Sequence, residues 1–339
     1  MEYTLQIQNL KTQFHTQKGI SPVVDDVSID IPKGKIVGLV GESGCGKSMT
    51  AMSVMQLVKK PGKVVDGKIM LMGKNLLDMS KKEMQSVRGN DISMIFQEPM
   101  TSLNPVVTVG KQVREAILLH QDLTKEEAKA KTIEIFGKCG IPEPEKRYSS
   151  YPHQLSGGLR QRVMIAMAMV CEPELLIADE PTTALDVTIE AQILKLMKQL
   201  RDEHGTSILL ITHNMGVVAQ MCDYVYVMYA GKVMEQAETF ELFKNTCHPY
   251  TEGLLSSIPK MDKQVDRLYS IPGVVPNLLH LPKGCSFSTR CKYADAHCRE
   301  VRPELYDLEG LDVYDMPDRV SHKVRCFRSE KGGDTNGAE

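Results

Sequence analysis

The strongest chemical pattern lies near the start of the chain, in Gly41-Glu42-Ser43-Gly44-Cys45-Gly46-Lys47-Ser48. It fits G-x-x-x-x-G-K-S/T. In that pattern glycines let backbone N–H groups wrap phosphate oxygens. The lysine reaches the β- and γ-phosphates, and the final hydroxyl ligates Mg2+. Met49 follows and is counted with the loop. A chance Gly-rich turn would need no strand before it and no helix after it; both are predicted here. A second pattern is Asp179-Glu180, at the end of the apolar run Leu175–Asp179. Asp179 is suited to hold Mg2+ through water, and Glu180 to polarise an attacking water. Alone, the pair reads equally well as a strand end facing solvent. Beside a phosphate loop it reads as part of a nucleotide site.

Two further groups could do chemistry. Ser156-Gly157-Gly158 opens a helix, which makes it either a second anion site by the same physics or a plain cap. Near the end, Cys285, Cys291, Cys298 and Cys326 are spaced C-x5-C-x6-C-x27-C. Four thiolates suit tetrahedral zinc or an iron–sulfur cluster; the bland alternative is four reduced thiols. The other cysteines are scattered. Cys139, Cys171, Cys222 and Cys247 read as packing residues, and Cys45 makes the loop a candidate for thiol sensitivity. His297 and His322 read as surface residues.

The elements that must position these groups alternate. TLQIQNL, VSIDI and IVGLV read as strands, and a helix is expected from Lys47 to about Leu57. Ser80 caps a helix to about Val87, and DISMIF at 91–96 is a strand. Thr124 and Glu127 form a capping box before a helix ending near Gly137 or Gly140. Residues 141–153 read as loop, and 157–170 as helix. LLIAD and SILLITH are continuous apolar strands of the kind buried in a parallel sheet. Between them the apolar residues from Ile189 to Leu200 recur at helical spacing. Residues 215–221 form a helix and 224–236 a hairpin. Strands alternating with helices give an α/β fold. The pattern breaks near 245, giving an expected division into 1–244, an appendage at 245–328 and a disordered tail at 329–339.

Composition narrows the classes. The chain has 339 residues, 42% of them hydrophobic and 25% charged, with a net charge of −2. That is ordinary globular protein, with no basic excess of the kind nucleic-acid binders carry. Nine cysteines, no apolar leader and no apolar run long enough to span a bilayer point to a cytosolic, reduced chain. Work at a membrane would then need a membrane partner.

In this order the motifs resemble those of ABC-type ATPases over about residues 3–240. Leu155-Ser156-Gly157-Gly158-Leu159-Arg160-Gln161-Arg162 stands where that family has its signature motif, with Leu159 in place of the usual Gln. The resemblance implies an α/β P-loop ATPase with a RecA-like core, an antiparallel β subdomain, a helical signature subdomain at about 98–172 and a small irregular C-terminal domain. It also assigns roles. Gln97 becomes the Q-loop residue that touches Mg2+ and senses the membrane partner. Ala184-Leu185-Asp186 becomes the D-loop, and His213 the switch histidine at the γ-phosphate. Phe14 stands where an aromatic stacks on adenine; its alternative is a core phenylalanine. In the family two ATPases face each other head to tail. Ser156, Gly157 and Gly158 would then serve ATP bound by the partner, and Glu180 with His213 would make this chain's own site competent.

DNA-repair relatives carry long arms between phosphate loop and signature, which the stretch from Ser48 to Leu155 cannot hold. Translation-factor relatives carry two ATPase domains; this chain has one. A transporter motor remains. Met100-Thr101-Ser102-Leu103-Asn104-Pro105, His248-Pro249-Tyr250-Thr251, the run Leu254–Pro259, and the run Ile271–Leu278 leading to Gly284-Cys285-Ser286-Phe287 resemble the dipeptide, oligopeptide and nickel importer group. That group implies a second ATPase chain, identical or related, two integral-membrane permease subunits and an extracytoplasmic binding protein, with no nucleic acid. The chain would sit peripherally on the cytoplasmic face of the membrane. Residues 98–120 would form the groove for a permease helix. The same resemblance implies a 4Fe-4S cluster on the four tail cysteines, with zinc as the alternative. Nickel or oligosaccharide import, and a non-transport ABC ATPase, are the alternative functions.

Overall fold

The structure is a computed structural model that describes residues 2–97, 102–183, 185–258, 269–308 and 321–330. Met100, Thr101, Ala184, Pro259 and residues 331–339 of the expected tail lie outside the described residues.

Strands β1 (Tyr3–Thr16) and β2 (Gly19–Pro32) pair antiparallel. Their alternating Leu5, Ile7, Val27, Ile29 and Ile31 are buried, the period-2 burial of a half-covered sheet. Strand β3 (Ile36–Val40) is buried at every residue and belongs to a second sheet. Strands β4 (Gly62–Leu71) and β5 (Lys74–Asn75) complete the first, in the order β2-β1-β4-β5.

The second sheet is formed with β6 (Ile92–Ile95), β7 (Leu175–Asp179), β8 (Ser207–Thr212), β9 (Tyr224–Tyr229), β10 (Lys232–Glu238), β11 (Tyr306–Asp307) and β12 (Lys323–Val324), in the order β11-β12-β10-β9-β3-β8-β7-β6. From β9 to β6 it is parallel. The continuous apolar runs of β3, β7 and β8 are covered on both faces, as parallel strands require. Strands β10, β12 and β11 extend it antiparallel.

Helix α1 (Lys47–Val54) follows β3, and α2 (Lys81–Val87) begins with the Ser80–Glu83 capping box. Helices α3 (Val109–His120), α4 (Lys125–Lys138), α5 (Pro144–Tyr148) and α6 (Gly157–Met169) form the helical part between β6 and β7. The predicted Thr124–Glu127 capping box is present. The expected loop at 141–153 instead holds α5 and a single 3-10 turn at Pro152–Gln154, each opened by a proline. Proline's fixed φ suits a first helical position, where its missing N–H costs nothing.

Helices α7 (Val187–His204), α8 (Met215–Met221) and α9 (Thr239–Lys244) pack along the sheet. The appendage contributes α10 (Pro249–Ser256), α11 (Ala296–Glu300) and α12 (Phe327–Glu330). Its Tyr250 and Phe287 are buried in the same apolar cluster as Val227 and Tyr229 of β9. The core therefore runs across the sequence boundary at 244/245. Among the described residues no helix is long and apolar enough to cross a membrane.

Candidate active site

The phosphate loop leaves the end of β3 and enters α1 through Gly46, whose φ is 109°. A Cβ on Gly41 (φ 149°) would lie 2.1 Å from the Met228 carbonyl oxygen, and one on Gly46 would lie 2.5 Å from that of Val23. Both contacts are with backbone, so neither position has room for a side chain. Lys47 is buried and donates from Nζ to the carbonyls of Gly41 at 2.7 Å and Glu42 at 3.0 Å. The lysine thus lies across the mouth of its own loop.

Cys45 is fully buried with its sulfur packed toward Gly41. Burial pushes its thiol above the ordinary value, and nearby Lys47 only partly offsets this. The expectation of thiol sensitivity is corrected accordingly, since reactive cysteines need an accessible thiolate.

The acidic pair ends β7 as the sequence suggested. Ser48 Oγ donates to Asp179 Oδ1 at 3.1 Å, which joins the two Mg2+ candidates directly. Burial raises the Asp179 carboxyl above its usual value, with the charge of Glu180 adding to that and the Ser48 hydrogen bond opposing it. A divalent cation would relieve this penalty, so Ser48 and Asp179 fit one.

Glu180 stands at φ 47°, a left-handed conformation uncommon for a side-chain-bearing residue. Its backbone N–H donates to the Ile211 carbonyl at 2.9 Å and helps hold that turn. Its carboxylate collects three partners. Gln97 Nε2 donates to Oε2 at 2.9 Å, Thr183 Oγ1 donates to Oε2 at 2.9 Å, and His213 Nδ1 lies 3.1 Å from Oε1. Burial alone would raise this carboxyl; the bonds from His213 and Thr183 outweigh it and hold the group below its usual value. Gln97, Glu180 and His213, from three separate strand ends, therefore meet in one cluster. Thr183 was not singled out from sequence; its only signal is its place three residues after Glu180.

Ser156 caps α6, its Oγ accepting from the Leu159 N–H at 3.4 Å. A Cβ on Gly158 would lie 3.0 Å from Ile189, so the glycine permits close approach of α7. Asp186 caps α7, its Oδ1 accepting from the Ile189 N–H at 3.0 Å. Gln161 is buried and donates to the Pro181 carbonyl, tying α6 to the turn after Glu180. Phe14 is half-buried, its ring edge 2.8 Å from where a Cβ on Gly62 would stand.

In the appendage, Cys285, Cys291, Cys298 and Cys326 line one cavity with Pro249, Phe287 and Phe327. All four thiols are free, and burial raises each. The other three sulfurs raise Cys285 further, up to about 11. His322 is not the surface residue expected. Its side chain is 8% exposed and its Nε2 lies 2.9 Å from Oε1 of fully buried Glu235. Glu235 also accepts from the N–H groups of Cys247 and His248. Among the described residues, Glu235, Cys247 and His322 are the one trio whose potential ligand atoms all lie within 4.8 Å of one another.

Comparison with known proteins shows the family. Residues 24–183 match the family described as ABC transporter, and residues 234–298 match the oligopeptide/dipeptide transporter C-terminal region. The chain is 48% identical to the oligopeptide transport ATP-binding protein AppD of Bacillus subtilis, over 98% of this chain and 99% of that one. It is 49% identical to the dipeptide transport ATP-binding protein DppD of the same organism, over 96% and 98%. Among solved structures it resembles the ATP-binding cassette MJ0796 in a dimeric post-hydrolysis state bound to ADP and Pi. There the TM-score is 0.63 and the identity 25%, covering 69% of this chain and 98% of that one.

Proposed function

The chain belongs to the ATP-binding subunits of ABC transporters, and on that footing we propose that it is the ATP-hydrolysing motor of an importer of dipeptides or oligopeptides. The observation that carries the reading is the joining of two groups, Ser48 with Asp179 and Glu180 with Gln97 and His213, beside a phosphate-binding loop. The peptide cargo is carried over from the curated relatives.

In this reading Gly41–Met49 wrap the triphosphate, with Lys47 on the β- and γ-phosphates. Ser48, Asp179 and Gln97 hold Mg2+, which neutralises charge on the phosphates. Glu180 accepts a proton from the attacking water, and His213 orients Glu180 and meets the γ-phosphate. Phe14 stacks on the adenine. Ser156, Gly157 and Gly158 close over ATP held by a second ATPase subunit, with Asp186 at that junction. Two permease subunits carry the solute, an extracytoplasmic binding protein delivers it, and this chain stays peripheral on the cytoplasmic face. The test is ATP hydrolysis by the assembled transporter in vesicles, with candidate solutes supplied outside. Stimulation by short peptides supports the reading. Stimulation by nickel or an oligosaccharide, and not by peptides, would overturn the cargo assignment.

Cys285, Cys291, Cys298 and Cys326 are proposed to hold a 4Fe-4S cluster. The shared cavity supports this. The cluster would cross-link the appendage and could accept or give one electron. Equimolar iron and sulfide in anaerobically purified protein, lost on Cys291→Ser, is expected; bound zinc instead would refute it.

A further inference from the structure

Two residues of the appendage hold Glu42, the second residue of the phosphate loop. Its backbone N–H donates to Tyr250 Oη at 2.8 Å. Its carboxylate receives both arms of Arg290, Nη1 to Oε2 at 2.6 Å and Nη2 to Oε1 at 3.0 Å. These partners stand 208 and 248 residues away in sequence.

The clamp is itself held. Arg290 Nε donates to the Pro272 carbonyl at 2.9 Å, and Nη2 donates to that of Ile271 at 3.1 Å. Its Nη1 also reaches Tyr229 Oη at 3.4 Å. The Arg290 side chain is 4% exposed and that of Glu42 28%. Tyr250 is fully buried, with its ring 4.7 Å from that of Tyr229 and 5.4 Å from that of Phe287. A bidentate arginine–carboxylate pair fixes orientation as well as neutralising charge.

The chemistry of the loop gives this contact a purpose. A carboxylate on a loop that must receive a polyanion repels it unless a cation stands against it. The Tyr250 bond fixes the backbone beside Gly41, where the chain must keep a φ of 149°. Arg290 also precedes Cys291, so the cysteine-lined cavity and the phosphate loop share one segment of chain.

We propose that Arg290, helped by Tyr250, is a positioning residue for nucleotide binding, neutralising Glu42 and setting the phosphate loop from the appendage. The proposal rests on the reading of Gly41–Ser48 as the nucleotide site. Its test is the affinity of the full-length chain for a fluorescent ATP analogue, with melting temperature measured alongside. Arg290→Ala is expected to raise Kd about ten-fold, the scale of losing a charge-assisted pair. Arg290→Lys should raise it less, since charge remains without the fork. Adding Glu42→Gln to Arg290→Ala should recover most of the lost affinity, because the uncompensated charge is gone.

A purely structural arginine would show no such recovery. Unchanged Kd in Arg290→Ala, or a double variant as weak as Arg290→Ala alone, would overturn the proposal. Should Arg290→Ala fail to fold, Arg290→Lys with and without Glu42→Gln makes the same comparison. Lys47→Ala separates the two readings. If it leaves binding intact, the nucleotide site itself is misassigned.

Discussion

Replacing Glu180 by Gln removes one charge and almost no structure. In the native cluster Oε2 accepts from both Gln97 and Thr183, while Oε1 faces His213 Nδ1. An amide placed with its oxygen toward Gln97 and Thr183 keeps both of those bonds, since an amide oxygen has two lone pairs. Its NH2 then faces His213, whose Nδ1 can accept in the neutral tautomer carrying the proton on Nε2. ATP affinity should therefore change by no more than a few-fold. The water-activating carboxylate is lost, and general-base catalysis contributes about 10²–10⁴-fold. Turnover should fall by that factor, roughly 2.7–5.4 kcal/mol of barrier. Single-turnover hydrolysis by the assembled transporter measures the loss, and fluorescent-analogue binding measures what is kept. Turnover within ten-fold of the parent would refute the general-base role. Loss of binding in parallel would refute the argument that the cluster survives the substitution. The carboxyl sits below its ordinary value, so the parent's rate should show no titration of Glu180 at neutral pH.

Gly41→Ala forces a Cβ against the Met228 carbonyl and should lower stability by about 1–3 kcal/mol and abolish ATP binding, whereas Gly44→Ala meets nothing within 4 Å and bears only the cost of a left-handed backbone; melting and affinity together distinguish them. His322→Ala strands Glu235 and should cost about 3 kcal/mol. Burial pulls His322 down, but its bonds to Cys247 and Glu235 win and push it up to about 10. Its stabilisation is thus complete below the unfolded value near 6.5 and is lost as pH rises through the folded one. The melting-temperature gap between parent and variant should be wide at pH 6 and close toward pH 10; a gap independent of pH would refute the pairing. Cys45 should resist maleimide in the native chain and react once unfolded, as mass spectrometry can follow; rapid native labelling would contradict its burial.

The phosphate loop could be read from sequence because its chemistry is backbone chemistry. Only glycine tolerates the conformations at Gly41 and Gly46, so the residue types record the geometry. Glu180 was legible for another reason, because it follows an apolar strand of a parallel sheet beside a phosphate loop. Gln97 and His213 were singled out only through the family resemblance, since a glutamine or a histidine after a strand otherwise reads as an ordinary polar residue. What the sequence could not reveal were contacts between segments lacking periodicity. Tyr250 and Arg290 meet Glu42 only because the appendage shares the core, and no local pattern records that. His322 was misread because a histidine between polar residues looks solvated until β12 pairs with β10. Cys45 was misread because a cysteine between glycines of a phosphate loop looks accessible, while the loop folds the sulfur inward. Residues 141–153 were read as loop because they are rich in Pro, Glu and Tyr, whereas Pro144 and Pro152 open helical turns there.

Strand β12 closes the edge of β10, and with it His322 reaches Glu235 across 87 residues of chain. At about 5–20 residues per second of synthesis, that separation is roughly 4–17 s. During that interval Glu235 and Gln236 of β10 lack their β12 neighbours, and the buried carboxylate of Glu235 has no histidine. An unpaired edge of that kind invites other chains to add a strand. The last described strand therefore acts late in the making of each molecule, ending a period in which a nearly finished motor is open to association through its own sheet.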